Sequence, residues 1–296
     1  MRAPGFVVLG LVAIASTPHA AVTLPPAVTP FERGHGDLVL AVRLNGRGPF
    51  RLLLDTGSTH TSVSLKTAEA IDAPVVARAP MGSAAGSRMT LVVRIDALTV
   101  GPVTVGDLLA SVVELAEIPD GEGIDGVIGL DALASLRYTI DFRQRRVVWW
   151  PADGEVGGGE GARVRGCEES TLELQSSGGR FLLALPQRNS LLRLVPDTGA
   201  TSLLLFAPHA ALPVTRLPAL ATLTTPSGHT DVRMATVREL HVGTLTLRDV
   251  PAVVADRDRS EPAEVDGLLP LHLFDRVTVD GPRKRLIVEK PGKSAF

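Results

Sequence analysis

Apolar residues in this chain come in short runs cut by Gly, Pro and polar turns, and few stretches keep a helical period. Residues 38–44 (LVLAVRL) form a β-rich run that stops at the turn Asn45-Gly46-Arg47-Gly48, and residues 50–54 (FRLLL) follow it. That arrangement predicts two neighbouring strands. Residues 91–105 hold two more runs broken at Gly101-Pro102, and residues 146–150 (RVVWW) make another. Helices are predicted only over 65–71, with Ser64 as cap, and over 131–136. Many short strands with Gly and Pro between them predict an all-β barrel or sandwich, not a parallel α/β sheet.

The pattern occurs twice. Phe50-Arg-Leu-Leu-Leu-Asp55-Thr-Gly-Ser58 returns as Leu192-Arg-Leu-Val-Pro-Asp197-Thr-Gly-Ala200, 142 residues later. The same offset relates Gly86 to Gly228 and Gly101 to Gly243. Ile124-Asp-Gly-Val-Ile-Gly-Leu130 matches Val265-Asp-Gly-Leu-Leu-Pro-Leu271 at an offset of 141, and Tyr138-Thr-Ile-Asp141 matches Val277-Thr-Val-Asp280 at 139. Four landmarks in one order indicate a duplicated unit. The chain therefore divides into a first lobe at 36–152, a Gly- and Glu-rich linker at 153–170, a second lobe at 171–291 and a tail at 292–296.

Ahead of the first lobe, residues 1–21 read as an export signal and 22–35 as an N-terminal arm. Arg2 precedes an apolar run of 11 residues at 5–15, too short to cross a bilayer, and small residues follow. Cleavage near Ala20-Ala21 is the expectation, with a cut after Ala15 as the alternative. A secreted or periplasmic protein follows, with no membrane contact once the signal is removed. The net charge of -2, from 30 basic and 32 acidic residues, excludes the basic footprint of a nucleic-acid binder. The single cysteine, Cys167, can form no disulfide within the chain and stands beside Glu168 and Glu169, which do not favour a thiolate.

The repeated Asp-Thr-Gly turn carries the candidate chemistry. If the two halves pack about a pseudo-twofold axis, the strands ending at Asp55 and Asp197 bring two carboxyls together. Two carboxylates that close share one proton, because both cannot ionise cheaply. One can then take a proton from water while the other donates to a carbonyl oxygen, which is general acid-base hydrolysis of an amide without a metal. Gly57 and Gly199 allow tight turns and close backbone approach. The hydroxyls of Thr56 and Thr198 can bond across the axis. Pro196 belongs where no ladder bond is needed. Ser58 offers Asp55 a hydroxyl that Ala200 does not offer Asp197, which predicts Asp55 as the better stabilised anion.

Asp55-Thr56-Gly57-Ser58 and Asp197-Thr198-Gly199-Ala200 resemble the active-site motifs of the retropepsin-like aspartic proteases, exported bacterial members in particular. Val127-Ile128-Gly129 resembles that family's second signature; its second copy departs from the pattern at Pro270. The glycines at 82–87 and at 226–229 sit where the family carries flap hairpins, with Gly86 and Gly228 as candidate tips. The resemblance implies two pseudo-twofold-related β-barrel lobes, retropepsin-like or pepsin-like, with short helices and a cleft between them, here in one chain and as a monomer. It implies a polypeptide substrate, an Asp55/Asp197 dyad that activates water as an endopeptidase does, and no cofactor or metal. The alternative is a non-catalytic protein that keeps the fold and binds peptides; Pro270 favours it, and the two matched acids oppose it.

Other candidates are weaker. His60 lies five residues after Asp55, but its spacing from Ser58 is poor for a Ser–His pair, so a structural or surface role is expected. Asp120, Glu122, Asp125 and Asp131 lack the ligand spacing of a calcium loop and read as a solvated acidic loop. Asp141 and Asp280 read as turn or structural carboxylates. Trp149 or Trp150 can pack between the lobes. Gly157-Gly158-Gly159 lacks the context of a phosphate loop.

Overall fold

The computed structural model describes residues 26–34, 37–83, 86–115, 123–151, 167–207, 214–225, 228–257 and 262–291. The export signal, the tail, Asp120, Glu122 and the three linker glycines at 157–159 lie outside the described residues. The described part of the stretch read as linker, from Cys167 on, is the start of the strand Cys167–Glu173.

Strands dominate, as the short apolar runs predict. In the first half eight of them hydrogen-bond in the spatial order Glu32–Gly34, Asp37–Leu44, Arg47–Leu54, Gly126–Ile128, Ser62–Val63, Val103–Val112, Gly86–Val100, Val75–Ser83. The second half repeats that order: Gln175–Ser177, Arg180–Gln187, Ser190–Asp197, Gly267–Pro270, Leu203–Ala207, Leu245–Asp256, Gly228–Val242, Val214–Thr225. The two lobes are thus one topology used twice. The first closes on itself where Arg43 and Leu44 pair with Thr99 and Leu98. In the second, the Gln187 side chain stands in for part of that ladder: its amide donates to the His241 carbonyl at 3.0 Å and accepts from the His241 N–H at 3.1 Å.

A third sheet joins the lobes, with three strands from each: Ala27–Pro30, Arg146–Trp150, Arg137–Asp141, Arg276–Asp280, Arg285–Pro291 and Cys167–Glu173. Its centre is the antiparallel pair of the two Thr-x-Asp landmarks, with Thr139 opposite Thr278 and their hydroxyls 2.7 Å apart. The pseudo-twofold axis passes through that pair. Strand Ala27–Pro30, which lies within the stretch read as an N-terminal arm, is an edge strand of this sheet. One continuous apolar core runs from Leu40, Leu54, Ile128 and Tyr138 in the first half to Leu194, Leu205, Leu271 and Val288 in the second.

Repeated glycines mark where backbone or side chains come too close for a Cβ. Gly101 and Gly243 have φ of +54° and +60°, and a Cβ there would collide with the hydroxyls of Thr29 and Ser170 on matching strands of the shared sheet. The helix Leu65–Ala70 starts where expected, with the Ser64 side chain accepting from Thr67 N–H at 3.1 Å. The second helix covers only Leu130–Leu133, earlier and shorter than the predicted 131–136. Its first two N–H groups donate to the carbonyls of Ser58 and Thr59, so the loop after Asp-Thr-Gly, not a side chain, fixes its start.

Candidate active site

Each Asp-Thr-Gly turn is delivered by a strand held on both sides. Arg47–Leu54 pairs in parallel with Gly126–Ile128, and Ser190–Asp197 with Gly267–Pro270. The Asp-Gly landmark braces this junction. Asp125 accepts the Arg51 N–H at 2.8 Å and donates its own N–H to the Arg51 carbonyl at 2.8 Å. Asp266 does the same with Arg193, at 2.8 and 2.7 Å. The following glycines, Gly126 and Gly267, have no room for a Cβ against the carbonyls of Ser62 and Leu204.

The strands end with the two acids against one another. The carboxyls of Asp55 and Asp197 are hydrogen-bonded, Asp197 buried at 6% exposure and Asp55 half-buried. Asp55 accepts the amides of Gly57 and Ser58 at 2.8 and 3.2 Å. Asp197 accepts those of Gly199 and Ala200 at 2.7 and 3.1 Å. Glycine is required here by space. A Cβ on Gly57 would sit 2.5 Å from the Asp197 carboxyl carbon, and one on Gly199 3.0 Å from that of Asp55.

Thr56 and Thr198 tie the loops together. The Thr56 N–H donates to Thr198 Oγ1 at 3.0 Å and the Thr198 N–H to Thr56 Oγ1 at 3.1 Å. Each hydroxyl then donates onward across the axis, Thr56 to the Pro196 carbonyl at 2.8 Å and Thr198 to the Leu54 carbonyl at 2.6 Å. Both threonines are buried, at 1% and 2% exposure, so all four bonds are shielded from water.

The pair is electrically uneven. Burial raises the Asp55 carboxyl above its ordinary value; the hydrogen bond from Asp197, the Gly57 and Ser58 amides and the Arg180 charge pull it back. Burial also raises Asp197, and there the Asp55 charge and hydrogen bond add to the rise, so it stands well above the usual range. Both carboxyls are held above their ordinary value, and the two titrate as a pair that retains one proton. The expected cause, a Ser58 hydroxyl on Asp55, is not the one at work. Ser58 Oγ donates to the His60 carbonyl at 2.9 Å, and only its backbone N–H reaches Asp55.

Sequence reasoning missed a second brace. Asp131, read as part of a solvated acidic loop, accepts from Thr61 N at 2.9 Å and from Thr61 Oγ1 at 2.7 Å. Thr61 Oγ1 in turn accepts the Gly129 N–H at 3.3 Å. Asp125 is likewise engaged with the backbone of Arg51 and is no solvated acid. In the second copy all three brace positions change together, to Leu203, Pro270 and His272. Pro270 has no N–H to give, and Leu203 has no hydroxyl to receive one. At φ -65° and ψ 123° Pro270 lies in its ordinary geometry, still in register with Asp197. The joint departure of the three was the available sequence signal.

The remaining candidates lie elsewhere or serve structure. Gly86 pairs with Ser83 and Gly228 with Thr225, so each glycine opens the returning strand of a long hairpin. His60 is exposed, with its ring 2.8 Å from the Thr59 hydroxyl. Trp149 donates to Thr29 and Trp150 to Thr139 in the joining sheet, at 2.9 and 2.8 Å. Asp141 and Asp280 accept turn amides of Gln144 and Arg283 and pair with Arg276 and Arg137 of the opposite lobe at 3.7 and 3.5 Å. The Cys167 thiol is pushed up by burial and then by Glu289 and Asp275. Among the described residues no group of three His, Cys, Asp or Glu can hold a metal ion, and no helix is long and apolar enough to cross a membrane.

Comparison with known families gives one result that covers both turns. A family model described as Aspartyl protease matches residues 40–132 and 189–272, more than half of the chain. The first match holds Asp55 with the Thr61–Asp131 brace; the second holds Asp197 with Pro270. No curated protein matches the chain.

Proposed function

The chain belongs to the aspartyl protease family, and we propose that it is an endopeptidase in which Asp55 and Asp197 activate water for attack on a peptide carbonyl. The observation that carries this reading is the carboxyl pair, each member held by two amides and packed against the glycine of the opposite turn. Ionised Asp55 takes a proton from water as the water oxygen adds to the carbonyl carbon. Asp197 gives its proton to the carbonyl oxygen, and a tetrahedral diol results. Collapse breaks the C–N bond: the proton on Asp55 goes to the leaving nitrogen, and a hydroxyl proton returns to Asp197. The pair is then as it began, with no cofactor consumed.

The substrate in this reading is an extended polypeptide lying between the lobes. The hairpins Val75–Ser83/Gly86–Val100 and Val214–Thr225/Gly228–Val242 act as flaps over it, with Gly86 and Gly228 beside their tips. One chain carries both acids, which supports a monomer as the working unit. The reading of residues 1–21 as an export signal supports work outside the cytoplasm.

The test is cleavage of a mixture of denatured proteins across pH 3–8, followed by mass spectrometry of the fragments. Asp55→Asn and Asp197→Asn should each abolish cleavage while keeping the wild-type circular dichroism. Residues acting as a unit fail singly, so the double variant should be no worse than either. Substantial cleavage by either single variant, or none by the wild type, defeats the reading.

A further inference from the structure

The second lobe lacks the Thr61–Asp131 brace, yet its Asp-Thr-Gly turn closes on the same two amide bonds as the first. Another residue stands behind it. The strand Leu245–Asp256 runs out at Arg257, which lies 142 residues after Leu115. The registers of the two lobes agree there, since Leu204 pairs with Val253 as Ser62 does with Ser111. In the first lobe Leu115 is buried among Val113, Ile124 and Val127. In the second, the Arg257 guanidinium lies 5.4 Å from the centre of the buried Phe206 ring. Its Nη1 donates to the Pro262 and Val265 carbonyls at 2.8 and 2.5 Å, and its Nη2 is 3.7 Å from Asp266 Oδ1. One planar group thus gathers the segment Pro262–Asp266 and pins it to a core aromatic.

We propose that Arg257 is a positioning residue for Asp197: through the segment Pro262–Asp266 it holds the strand that delivers this acid, in place of the brace that the second lobe lacks. The link is Asp266. One of its carboxyl oxygens faces Arg257; the other accepts the Arg193 N–H at 2.8 Å, and the Asp266 N–H donates to the Arg193 carbonyl at 2.7 Å. Arg193 stands on the strand Ser190–Asp197, which ends in the acid. Closer to the acid the first lobe has a bond that the second cannot make, because Pro270, in register with Asp197, has no N–H where Gly129 gives one to Thr61. The segment also bears on the other acid's loop. Glu264 accepts from Ser177 Oγ at 2.6 Å, at the base of the turn Gly178-Gly179, and a Cβ on Gly179 would lie 3.7 Å from Thr59 Cγ2. A reacting group displaced by about 1 Å can lose about a hundredfold in rate, so a clamp on this segment acts on catalysis without touching substrate.

The inference rests on the reading of Asp55 and Asp197 as a working pair, and one arm of its test needs no activity. Full-length wild type, Arg257→Met and Arg257→Lys are compared by amide hydrogen exchange, read residue by residue with NMR. Arg257→Met keeps an apolar stem over Phe206 and drops the contacts to Pro262, Val265 and Asp266. Its Arg193, Gly199 and Ala200 amides should exchange about tenfold faster than in wild type, while the paired strands Arg137–Asp141 and Arg276–Asp280 stay within about twofold. Arg257→Lys keeps the charge but cannot reach all these acceptors at once, so the same amides should speed up by about threefold. Peptide cleavage by Arg257→Met, counted per folded molecule, should show kcat down about tenfold with KM within about twofold; a loss of lobe stability alone leaves that kcat unchanged. Wild-type protection at Arg193 and Gly199 overturns the inference, as does an equal loss in the joining strands or a wild-type kcat. Should Arg257→Met not fold, Arg257→Lys decides by the same amides. A wild type without peptidase activity whose Asp197 turn still loosens in Arg257→Met defeats the proposed function and upholds the positioning role.

Discussion

The threonine clasp gives the sharpest energetic test, because its four bonds run between backbone and hydroxyl and are all buried. Thr56→Val keeps the side-chain shape and removes Oγ1. Two backbone groups then lose their partners: the Thr198 N–H, which donates to it at 3.1 Å, and the Pro196 carbonyl, which accepts from it at 2.8 Å. Neither can turn to water, since Thr198 is 2% exposed and Pro196 is buried. An unsatisfied buried group costs about 1–3 kcal/mol, so the pair should cost about 2–6 kcal/mol. Thr56→Ser keeps both bonds and loses one methyl, about 0.8 kcal/mol. Urea unfolding at a fixed pH, with an unchanged denaturant slope, measures the difference. Thr198→Val orphans the Thr56 N–H and the Leu54 carbonyl, and should match Thr56→Val within about 1 kcal/mol. A Thr56→Val variant within about 0.5 kcal/mol of wild type, or Thr56→Ser as costly as Val, would refute the reasoning.

Gly57→Ala should cut kcat by about a hundredfold or more, since its Cβ would displace the Asp197 carboxyl from 2.5 Å away; steady-state kinetics read this directly. Both dyad carboxyls are raised by burial, so the folded state binds protons more tightly than the unfolded one, and their penalty is absent at low pH and grows as pH rises. The Asp55→Asn/Asp197→Asn double variant should therefore melt higher than wild type at pH 7, and the gain should vanish below about pH 3.5 in thermal scans. Arg137→Ala should cost about 2 kcal/mol by denaturation, because it removes the cross-lobe partner of buried Asp280 at 3.5 Å and leaves it with Arg283 at 3.2 Å. Pro270→Gly should leave kcat/KM within about twofold of wild type, since Pro270 is unstrained and the hydroxyl that a restored N–H would need is absent from Leu203.

The duplication and the dyad were legible because each is a periodic or motif-level property. Period-two apolar runs give strands, and a repeated strand that ends in Asp-Thr-Gly gives two acids at one axis. The offset of 139 between the Thr-x-Asp landmarks even corresponds to a physical pairing, Thr139 against Thr278. What the sequence hid was the direction of side chains in loops. Ser58 looked like a donor to Asp55 by spacing alone, but its hydroxyl satisfies the His60 carbonyl. Asp131 looked solvated because its partner, Thr61, is 70 residues away. The contact of the Gly178-Gly179 turn with Thr59 carries no motif at all, because it depends on a turn of one lobe reaching a loop of the other. The pairing of Ala27–Pro30 was hidden for the same reason, since its partner is a strand more than a hundred residues on.

The asymmetries between the copies follow one logic. Where the two halves face each other about the axis, the residues are kept: Asp55 with Asp197, Thr56 with Thr198, Gly57 with Gly199, Thr139 with Thr278. Each of these serves the other copy, so a change in one leaves a buried group unpaired in its mate. Where a brace acts within a single lobe, the copies diverge as whole units. Thr61, Gly129 and Asp131 become Leu203, Pro270 and His272 together, and the clash of a donor without an acceptor never arises. Replacing both partners of a buried bond can be nearly neutral, whereas replacing one cannot.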